Sequence, residues 1–244
     1  MRIIKVDAID STNTFLRNLY KSGTVEELTG VLANHQTAGR GQKGTIWQSN
    51  AGENLTCSVL IPHLTFPVSS QFYISVLISL VLIKVLGDYK IRGLSVKWPN
   101  DILSDSQKIA GILIENIVTN RHIHASIIGI GLNVNQTDFF ELPQATSLKL
   151  RTKKTLEVES IFKKIIEVLQ SEMEYLQLRS FQNLHRSYET YLFKKEELSK
   201  FKTDEGLIFE GIIKGINSIG QLQILEKNKK KLCNYNLKEV QLIY

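Results

Sequence analysis

The sequence contains few of the residues that build disulfide or metal-bound scaffolds. Only two of its 244 residues are cysteine, and Cys57 and Cys233 form neither a close pair nor a metal-ligand spacing. The five histidines show no metal spacing either, and no serine, histidine and aspartate follow in an order typical of a catalytic triad. The scarcity of cysteine predicts a protein of the reducing cytoplasm.

Signals for secretion, membrane insertion and nucleic-acid binding are also weak. Residues 1–7 contain no signal-peptide core, and the apolar segment 72–83 is too short to cross a bilayer and is followed by Lys84. The formal net charge is +6, but the cations are scattered, and the one dense run, 227–231, lies between apolar segments. That position is typical of a hairpin turn, so we expect no membrane insertion and no specific DNA binding.

The sequence does contain a glycine-rich loop, residues 36–47, directly after an apolar strand. The loop has three glycines, two cations and a tryptophan, with almost nothing apolar to bury. Glycine lets backbone N–H groups approach a ligand closely, and Arg40 and Lys43 place positive charge beside them. The loop therefore predicts a site for an anion, either phosphate or carboxylate.

Two known phosphate motifs match this loop incompletely. The spacing Gly39-x-Gly41-x-x-Gly44 resembles a dinucleotide fingerprint, but the next residues lack the helical period and the acidic residue that the fingerprint requires. A Walker loop needs lysine and serine or threonine after its last glycine, whereas Lys43 precedes Gly44. Taken alone, the segment also fits a plain surface loop.

Hydrophobic periodicity divides the chain into two modules. The first has predicted strands at 3–6, 30–35, 54–61, 93–98, 102–104, 108–115 and 123–134, and predicted helices at 14–20, 68–86, 156–178 and 184–193. The second has short predicted strands at 207–209, 211–213, 222–225 and 240–243, separated by glycine or asparagine turns. We expect an α+β fold: a mixed β-sheet domain flanked by helices, 1–194, and a small C-terminal β-barrel, 195–244.

Polar residues are concentrated where these predicted strands end. Residues 10–13 offer helix N-cap side chains, and Pro99 ends a strand. Gly129 and Gly131 leave one strand face bare, which indicates either a ligand at close range or a bulge or tight helix packing. The set is rich in cations and amides, with Asp101 as its well-placed carboxylate. Such a set suits the joining of a carboxylate and a nucleotide phosphate, with Asp101 as a candidate Mg²⁺ ligand.

Five motifs follow one another along the chain. They are Ser11-Thr12-Asn13, Gln36-Thr37-x-Gly39-Arg40-Gly41-x-x-Gly44-x-x-Trp47, Lys97-Trp98-Pro99-Asn100-Asp101, Lys108-Ile109-Ala110-Gly111-Ile112-Leu113-Ile114-Glu115 and Gly129-Ile130-Gly131-Leu132-Asn133. In this order they resemble the biotin protein ligases (biotin–[acetyl-CoA-carboxylase] ligases), over nearly the whole chain. The resemblance implies a biotin/lipoate ligase-like catalytic domain and an SH3-like C-terminal barrel. It also implies that biotin and MgATP form biotinoyl-5′-AMP, which then acylates one lysine of a biotin carboxyl carrier domain.

The resemblance also assigns roles to individual residues. Arg40 and Lys108 would be catalytic, because they offset charge on the transferring phosphoryl group. The biotin-binding set would be Ser11, Thr12, Asn13, Gln36, Gly39, Arg40, Gly41, Gln42, Lys108 and Gly131. The ATP-binding set would be Arg40, Gln42, Lys43, Trp47, Lys97, Asn100, Asp101 and Asn133, with Asp101 as the Mg²⁺ ligand.

The chain departs from the family pattern at Gln42, where many members carry a second arginine that is thought to help hold the adenylate. Because the chain starts at the first catalytic strand, we expect a monofunctional ligase without the helix-turn-helix domain of bifunctional members. Two other functions stay open: a lipoate or octanoate ligase or transferase, and a non-catalytic biotin-sensing protein. Homodimer formation also stays open.

Overall fold

The larger module is a mixed sheet with helices on both faces. The computed structural model describes residues 1–139, 142–177 and 181–244, without the side chains of Lys43 and residues 174–177. The strands of this module are β1 Arg2–Ile9, β2 Thr29–Gln36, β3 Leu55–Ile61, β4 Phe66–Pro67, β5 Leu94–Lys97, β6 Asp101–Ser104, β7 Gln107–Thr119 and β8 His122–Leu132. The helices are α1 Thr12–Lys21, α2 Phe72–Asp88, α3 Leu148–Thr152, α4 Val158–Gln177 and α5 Phe181–Thr190.

These elements match the expected ones, with differences of up to four residues at the ends of strands and helices. Helix α5 begins three residues before the predicted 184 and ends three before the predicted 193. Position 178, the predicted end of α4, lies outside the described residues. Helix α3 was not predicted, because five residues are too few to show a helical period.

The strand order is β1-β2-β3-β8-β7-β6-β5, and β4 pairs with β8. Strands β1 and β2 are parallel, whereas the pairs from β2 through β3, β8, β7 and β6 to β5 are antiparallel. This is the mixed sheet of the α+β fold predicted from the sequence. The hairpins at 105–106 and 120–121 make β6, β7 and β8 neighbours, so the ends of β5 and β8 come to one region.

The main core lies between the sheet and helices α2, α4 and α5. Helix α2 is apolar on almost every side because it is covered by the sheet on one side and by α4 and α5 on the other. With the short turn before it, the segment Val68–Asp88 is 21 residues long and apolar enough to cross a membrane by length and composition. The sequence analysis judged only 72–83, which is part of this longer segment. In the fold, however, 56% of its most apolar stretch is buried inside the protein.

The smaller module is a five-stranded antiparallel sheet in the order β12-β11-β10-β9-β13. Its strands are β9 Leu198–Thr203, β10 Ile208–Ile216, β11 Leu222–Glu226, β12 Lys231–Tyr235 and β13 Val240–Ile243. This is the small C-terminal β-barrel that the sequence predicts, and residues 227–230 form the turn between β11 and β12. The boundary between 194 and 195 stays a prediction.

Two details of the smaller module differ from the prediction. The expected strands 207–209 and 211–213 are one strand, β10, which passes through Gly211 without a turn. A Cβ at Gly211 would lie 2.5 Å from Cγ2 of Ile224, so this glycine allows close packing. Strands β9 and β12 were missed, because lysine and asparagine occupy their exposed positions and leave few apolar residues to show alternation.

We expect Leu82→Ala to destabilise the protein by about 2–5 kcal/mol, because it removes a side chain that is fully buried at the centre of α2. Leu207→Ala is the matched control, since Leu207 is 65% exposed. Its effect should stay within about 0.5 kcal/mol. Chemical denaturation of both variants measures the difference, and equal midpoints would contradict the placement of α2 in the core.

Candidate active site

Two adjoining cavities lie where the glycine-rich loop meets the ends of β5, β7 and β8. The smaller has a volume of about 280 Å³ and the larger about 910 Å³. The residues that line both are Gln36, Ile46, Trp47, Asp101 and Lys108. The shared residues include a lysine, an aspartate and a tryptophan that the sequence analysis selected, and they form the border between the two cavities.

The start of helix α1 forms the polar end of the small cavity. Ser11 is the N-cap of α1, as predicted, and its Oγ accepts the Thr14 N–H at 3.5 Å. The Thr12 N–H donates to Gln36 Oε1 at 2.8 Å, and the Thr12 hydroxyl oxygen lies 3.0 Å from the same atom. Because these contacts join α1 to the end of β2, four predicted residues, Ser11 to Asn13 and Gln36, lie side by side.

The floor of the small cavity is the face of β7 and β8 on which glycines replace side chains. A Cβ at Gly129 would lie 2.7 Å from Asn13 Oδ1, and a Cβ at Gly131 would lie 2.3 Å from Cε2 of Trp47. Strand β8 pairs in register with β7 through these positions, which excludes a bulge. The bare face is therefore filled by two protein side chains, one from α1 and one from the loop.

The glycine-rich loop folds back on itself above this floor. The Gly41 N–H donates to the Thr45 carbonyl at 2.7 Å, and the Trp47 N–H donates to the Gly39 carbonyl at 3.1 Å. Arg40 Nη2 donates to Thr14 Oγ1 at 2.7 Å, so the loop is tied to helix α1. A short 3₁₀ turn, Gln42–Gly44, forms its tip. The side chain of Lys43, an expected nucleotide contact, lies outside the described residues.

Lys108 and Asp101 lie at the border between the cavities, and Lys97 lines the large cavity. Lys108 Nζ is 2.7 Å from Asp101 Oδ1 and 5.5 Å from the ring centroid of Trp47. Lys97 Nζ lies 4.5 Å from the ring centroid of Tyr244. Burial lowers the pKa of Lys97, and the negative charge of Asp101 opposes that shift. This combination of cations with one carboxylate makes the border a favourable place for anionic groups.

The residues expected to bind biotin and those expected to bind ATP do not divide cleanly between the two cavities. Of the expected biotin residues, Ser11, Thr12, Asn13, Gln36, Arg40, Gly41, Gln42, Lys108 and Gly131 line the small cavity, while Gly39 lines the large one. Of the expected ATP residues, Trp47, Lys97, Asp101 and Asn133 line the large cavity, whereas Arg40, Gln42 and Asn100 line the small one. Asn100 Nδ2 donates to the Ile112 carbonyl at 2.9 Å, so its amide joins β6 to β7.

Sequence reasoning missed several residues at the site. Tyr244 lines the large cavity although it belongs to the end of the barrel module, and no local pattern marks a single aromatic there. Ser58 lies beneath Thr12 and Asn13, 2.6 Å from a side-chain oxygen of each. The sequence feature that could have identified Ser58 is that it is a lone serine in a largely apolar strand.

The few carboxylates at the site suit a divalent cation that is bound mainly by the phosphate groups of a substrate. Asp101 and Asp138 are the acidic residues among the described lining residues. The described residues contain no group of three or more histidine, cysteine, aspartate or glutamate side chains that could hold a metal by themselves. Mg²⁺ commonly takes one or two carboxylates and completes its shell with substrate phosphates and water, which matches this donor set.

We expect Gly131→Ala to displace Trp47, because the added Cβ would overlap the indole ring. Fluorine NMR of protein labelled with fluorotryptophan gives one signal each for Trp47 and Trp98. The Trp47 signal should move, while that of Trp98 stays in place. Gly87→Ala is the control, since a Cβ there would meet nothing within 4 Å. An unmoved Trp47 signal in Gly131→Ala would contradict the packing described here.

Comparisons with known proteins bear on the whole chain. A family model described as the biotin/lipoate A/B protein ligase family matches residues 6–133. The bifunctional ligase/repressor BirA of Bacillus subtilis is 28% identical over 231 residues, which cover 93% of this chain and 70% of that protein. The biotin–[acetyl-CoA-carboxylase] ligase of Mycobacterium tuberculosis is 33% identical over 141 residues, 57% of this chain and 51% of that protein.

A solved structure has the same fold from end to end. The biotin protein ligase of Aquifex aeolicus, in complex with biotin and ATP, superposes with a TM-score of 0.81 at 24% identity. The match covers 99% of this chain and 98% of that one, so it includes both modules. The resemblance inferred from five motifs is confirmed, and the chain belongs to the biotin/lipoate A/B protein ligase family.

Proposed function

We propose that this protein is a biotin protein ligase. It joins biotin and ATP to form biotinoyl-5′-AMP and pyrophosphate, and then transfers the biotinoyl group to a lysine of a carrier domain. The observation that carries the proposal is the position of Lys108 at the border of two cavities, of which one is small and one is large. A site of this shape can hold two different ligands with their reacting groups next to one ammonium.

The main obstacle to the first step is charge repulsion. Both the biotin carboxylate and the triphosphate are anions, and their repulsion grows as water leaves the site. Lys108 places one cation at the border, Lys97 places a second in the wall of the large cavity, and Arg40 adds a third from the loop beside the small cavity. Lys108 is held by Asp101 in the described structure, so its ammonium is already at the border when the anions enter.

The first step forms one bond and breaks one bond. A biotin carboxylate oxygen attacks the α-phosphorus of ATP, and pyrophosphate leaves with the electron pair of the broken P–O bond. Negative charge on the phosphoryl oxygens rises during this attack, and the Lys108 ammonium is placed to stabilise it. Most of the remaining acceleration comes from holding the two reacting groups together in the correct orientation.

Mg²⁺ is the expected companion of ATP, and Asp101 is the residue that would hold it. The ion would neutralise part of the triphosphate charge. Lys108, beside Asp101, would contact the phosphoryl oxygens. Strands β6 and β7 keep both side chains at the border.

In the second step, the lysine amine of a carrier domain attacks the acyl carbon of biotinoyl-AMP. AMP leaves with the electron pair, and the attacking nitrogen loses a proton to form the amide. The mixed anhydride reacts readily with water, so the loop must cover it between the two steps. The Gly39–Trp47 and Gly41–Thr45 backbone contacts give the loop a defined shape for this task.

The acceptor is a biotin carrier domain of a carboxylase, in keeping with the name of the Mycobacterium tuberculosis relative. We place the reaction in the cytoplasm and expect no specific DNA binding. A lipoate or octanoate ligase is the alternative from the same family. The small cavity favours biotin because its lining includes the side chains of Ser11, Thr12, Asn13 and Gln36, which suit a polar ring better than an alkyl chain.

We expect the purified protein to release pyrophosphate only when biotin, ATP and Mg²⁺ are all present, and then to label a biotin carrier domain. Lys108→Ala should lower kcat/KM for adenylation by at least ~2 kcal/mol, because it removes a charge-stabilising donor. The exposed Lys163→Ala is the matched control, and its kinetics should be unchanged.

Three outcomes would contradict parts of this proposal. Labelling with lipoate but not with biotin would assign the protein to the lipoate branch. Tight biotin binding without pyrophosphate release would indicate a sensor. Normal adenylation in Lys108→Ala would show that its ammonium is not needed.

Gln42 leads to a separate prediction. It lines the small cavity at the tip of the loop, where many relatives carry arginine. Glutamine cannot form the charged two-point contact with phosphate that arginine forms. We expect Gln42→Arg to slow the release of preformed biotinoyl-AMP by about tenfold, the value of one charge-assisted contact. A chase of labelled adenylate at fixed salt measures the rate, and equal rates would show that other loop groups retain the intermediate.

A further inference from the structure

Glu115 is part of the Lys108–Glu115 motif but has no role in the reaction as described so far. It lies on β7, opposite Ile127 of β8, on the same face as Gly129 and Gly131. Its Oε2 accepts Asn13 Nδ2 at 2.8 Å, and its Oε1 lies 3.1 Å from Arg17 Nη2. One carboxylate thus contacts two residues that are one turn apart on helix α1.

These contacts fix the orientation of the Asn13 amide. Asn13 is 3% exposed and lies across the bare backbone of Gly129. An ionised carboxylate can only accept hydrogen bonds, so the amide must turn its NH₂ group toward Glu115. Its oxygen then faces Ser58, whose Oγ is 2.6 Å away. Arg17 holds the other carboxylate oxygen and keeps Glu115 from turning toward solvent.

The Asn13 oxygen in turn sets the direction of a chain of hydroxyl groups. Ser58 Oγ lies 2.6 Å from both Asn13 Oδ1 and Thr12 Oγ1, but it has one proton to donate. Because Asn13 Oδ1 can only accept, Ser58 must donate to it, and Thr12 must then donate to Ser58. The alternative direction, in which Ser58 donates to Thr12 and Thr12 to Gln36, would leave two oxygens 2.6 Å apart without a proton between them.

This direction determines what the cavity offers a ligand. When Thr12 donates to Ser58, Gln36 Oε1 receives only the Thr12 backbone N–H at 2.8 Å and keeps one lone pair unused. In the opposite direction, the Thr12 hydroxyl would occupy that lone pair across the 3.0 Å contact. A carbonyl oxygen with a spare lone pair recognises an N–H group of a ligand.

We propose that Glu115, held by Arg17, is a positioning residue that orients the Asn13–Ser58–Thr12 chain and so keeps Gln36 Oε1 available for a ring N–H of the ligand. The proposal rests on the proposed function, because biotin supplies such an N–H from its cyclic urea. Glu115 acts through other residues and touches no reacting atom. It would explain why a partly buried carboxylate lies beside a cavity that otherwise binds an anionic molecule.

The test compares Glu115→Gln with wild type in the binding of biotin and of biotin methylated at one ureido nitrogen. The introduced glutamine has nearly the same shape as glutamate, but its amide can donate, so Asn13 can turn over and the chain can reverse. We expect the Kd for biotin to rise about tenfold, the value of one hydrogen bond in a buried site. The preference for biotin over the methylated compound should fall by a similar factor, because the contact that distinguishes them is lost. Calorimetry at fixed pH gives both constants.

Two further variants separate positioning from general support of the fold. Arg17→Met should shift the preference in the same direction as Glu115→Gln, since it releases the carboxylate. Glu172→Gln is the matched control, because Glu172 is also paired with a cation and its side chain is 23% exposed, against 25% for Glu115. It should leave both constants within about twofold of wild type.

The outcomes distinguish this inference from the proposed function. No biotin binding by the wild-type protein would overturn both. Normal wild-type binding with Glu115→Gln indistinguishable from Glu172→Gln would overturn the inference alone. A loss of affinity in Glu115→Gln that is equal for biotin and the methylated compound would also overturn it, since the change would then be one of pocket shape. A fall in kcat at saturating biotin, with KM unchanged, would exclude a positioning role in binding.

Discussion

The antiparallel pairing of β7 with β8 is the constraint on which the site depends. The register places Gly111 opposite Gly131 and Leu113 opposite Gly129, so three glycines fall on one face of two central strands. A sheet face without side chains leaves a depression about as deep as a side chain is long. Asn13 and Trp47 enter that depression from opposite sides, and the small cavity lies between them. A shift of one residue in register would turn the glycines to the core side and close the cavity.

The charges at the site follow from the same strands. Asp101 begins β6 and Lys108 lies in β7 next to the intervening turn, so a short hairpin is enough to bring the two together. A lone ammonium at the border would be costly when water leaves, and a lone carboxylate would repel the anions. As a pair they contact each other until ligands compete for each partner. The Lys108–Asp101 pair thus supplies one cationic and one anionic group for ligands, rather than serving as a contact that stabilises the fold.

The sequence predicts the main strands and helices of this protein better than its short strands and some of its site residues. Strand β3 and helix α2 were clear because most of their residues are apolar, and the N-cap at Ser11 was clear from side-chain chemistry. Strands β9 and β12 were not, because pairing within a small barrel does not need a strongly apolar face. For the site, the five motifs located most of the lining residues. Tyr244 could not be found, since its position depends on packing between distant segments, and the signal for Ser58, a lone serine in a largely apolar strand, was missed.

The two cavities are lined by different parts of the chain. The small one is lined by α1, β3, β6, β7, β8 and the loop, all within the first module. The large one also needs Tyr244 from the barrel, whose ring lies against Lys97 and whose carbonyl oxygen accepts Gln144 Nε2 at 2.8 Å.

Gln144 also connects the end of the barrel to the centre of the site. The Lys108 N–H donates to its carbonyl at 2.6 Å, so the same residue contacts the end of the barrel and the backbone of β7. Trp98 adds a second connection, through its Nε1 and the Gly220 carbonyl at 2.9 Å. The lining of the small cavity therefore comes from the first module, whereas the wall of the proposed nucleotide site includes Tyr244 from the barrel.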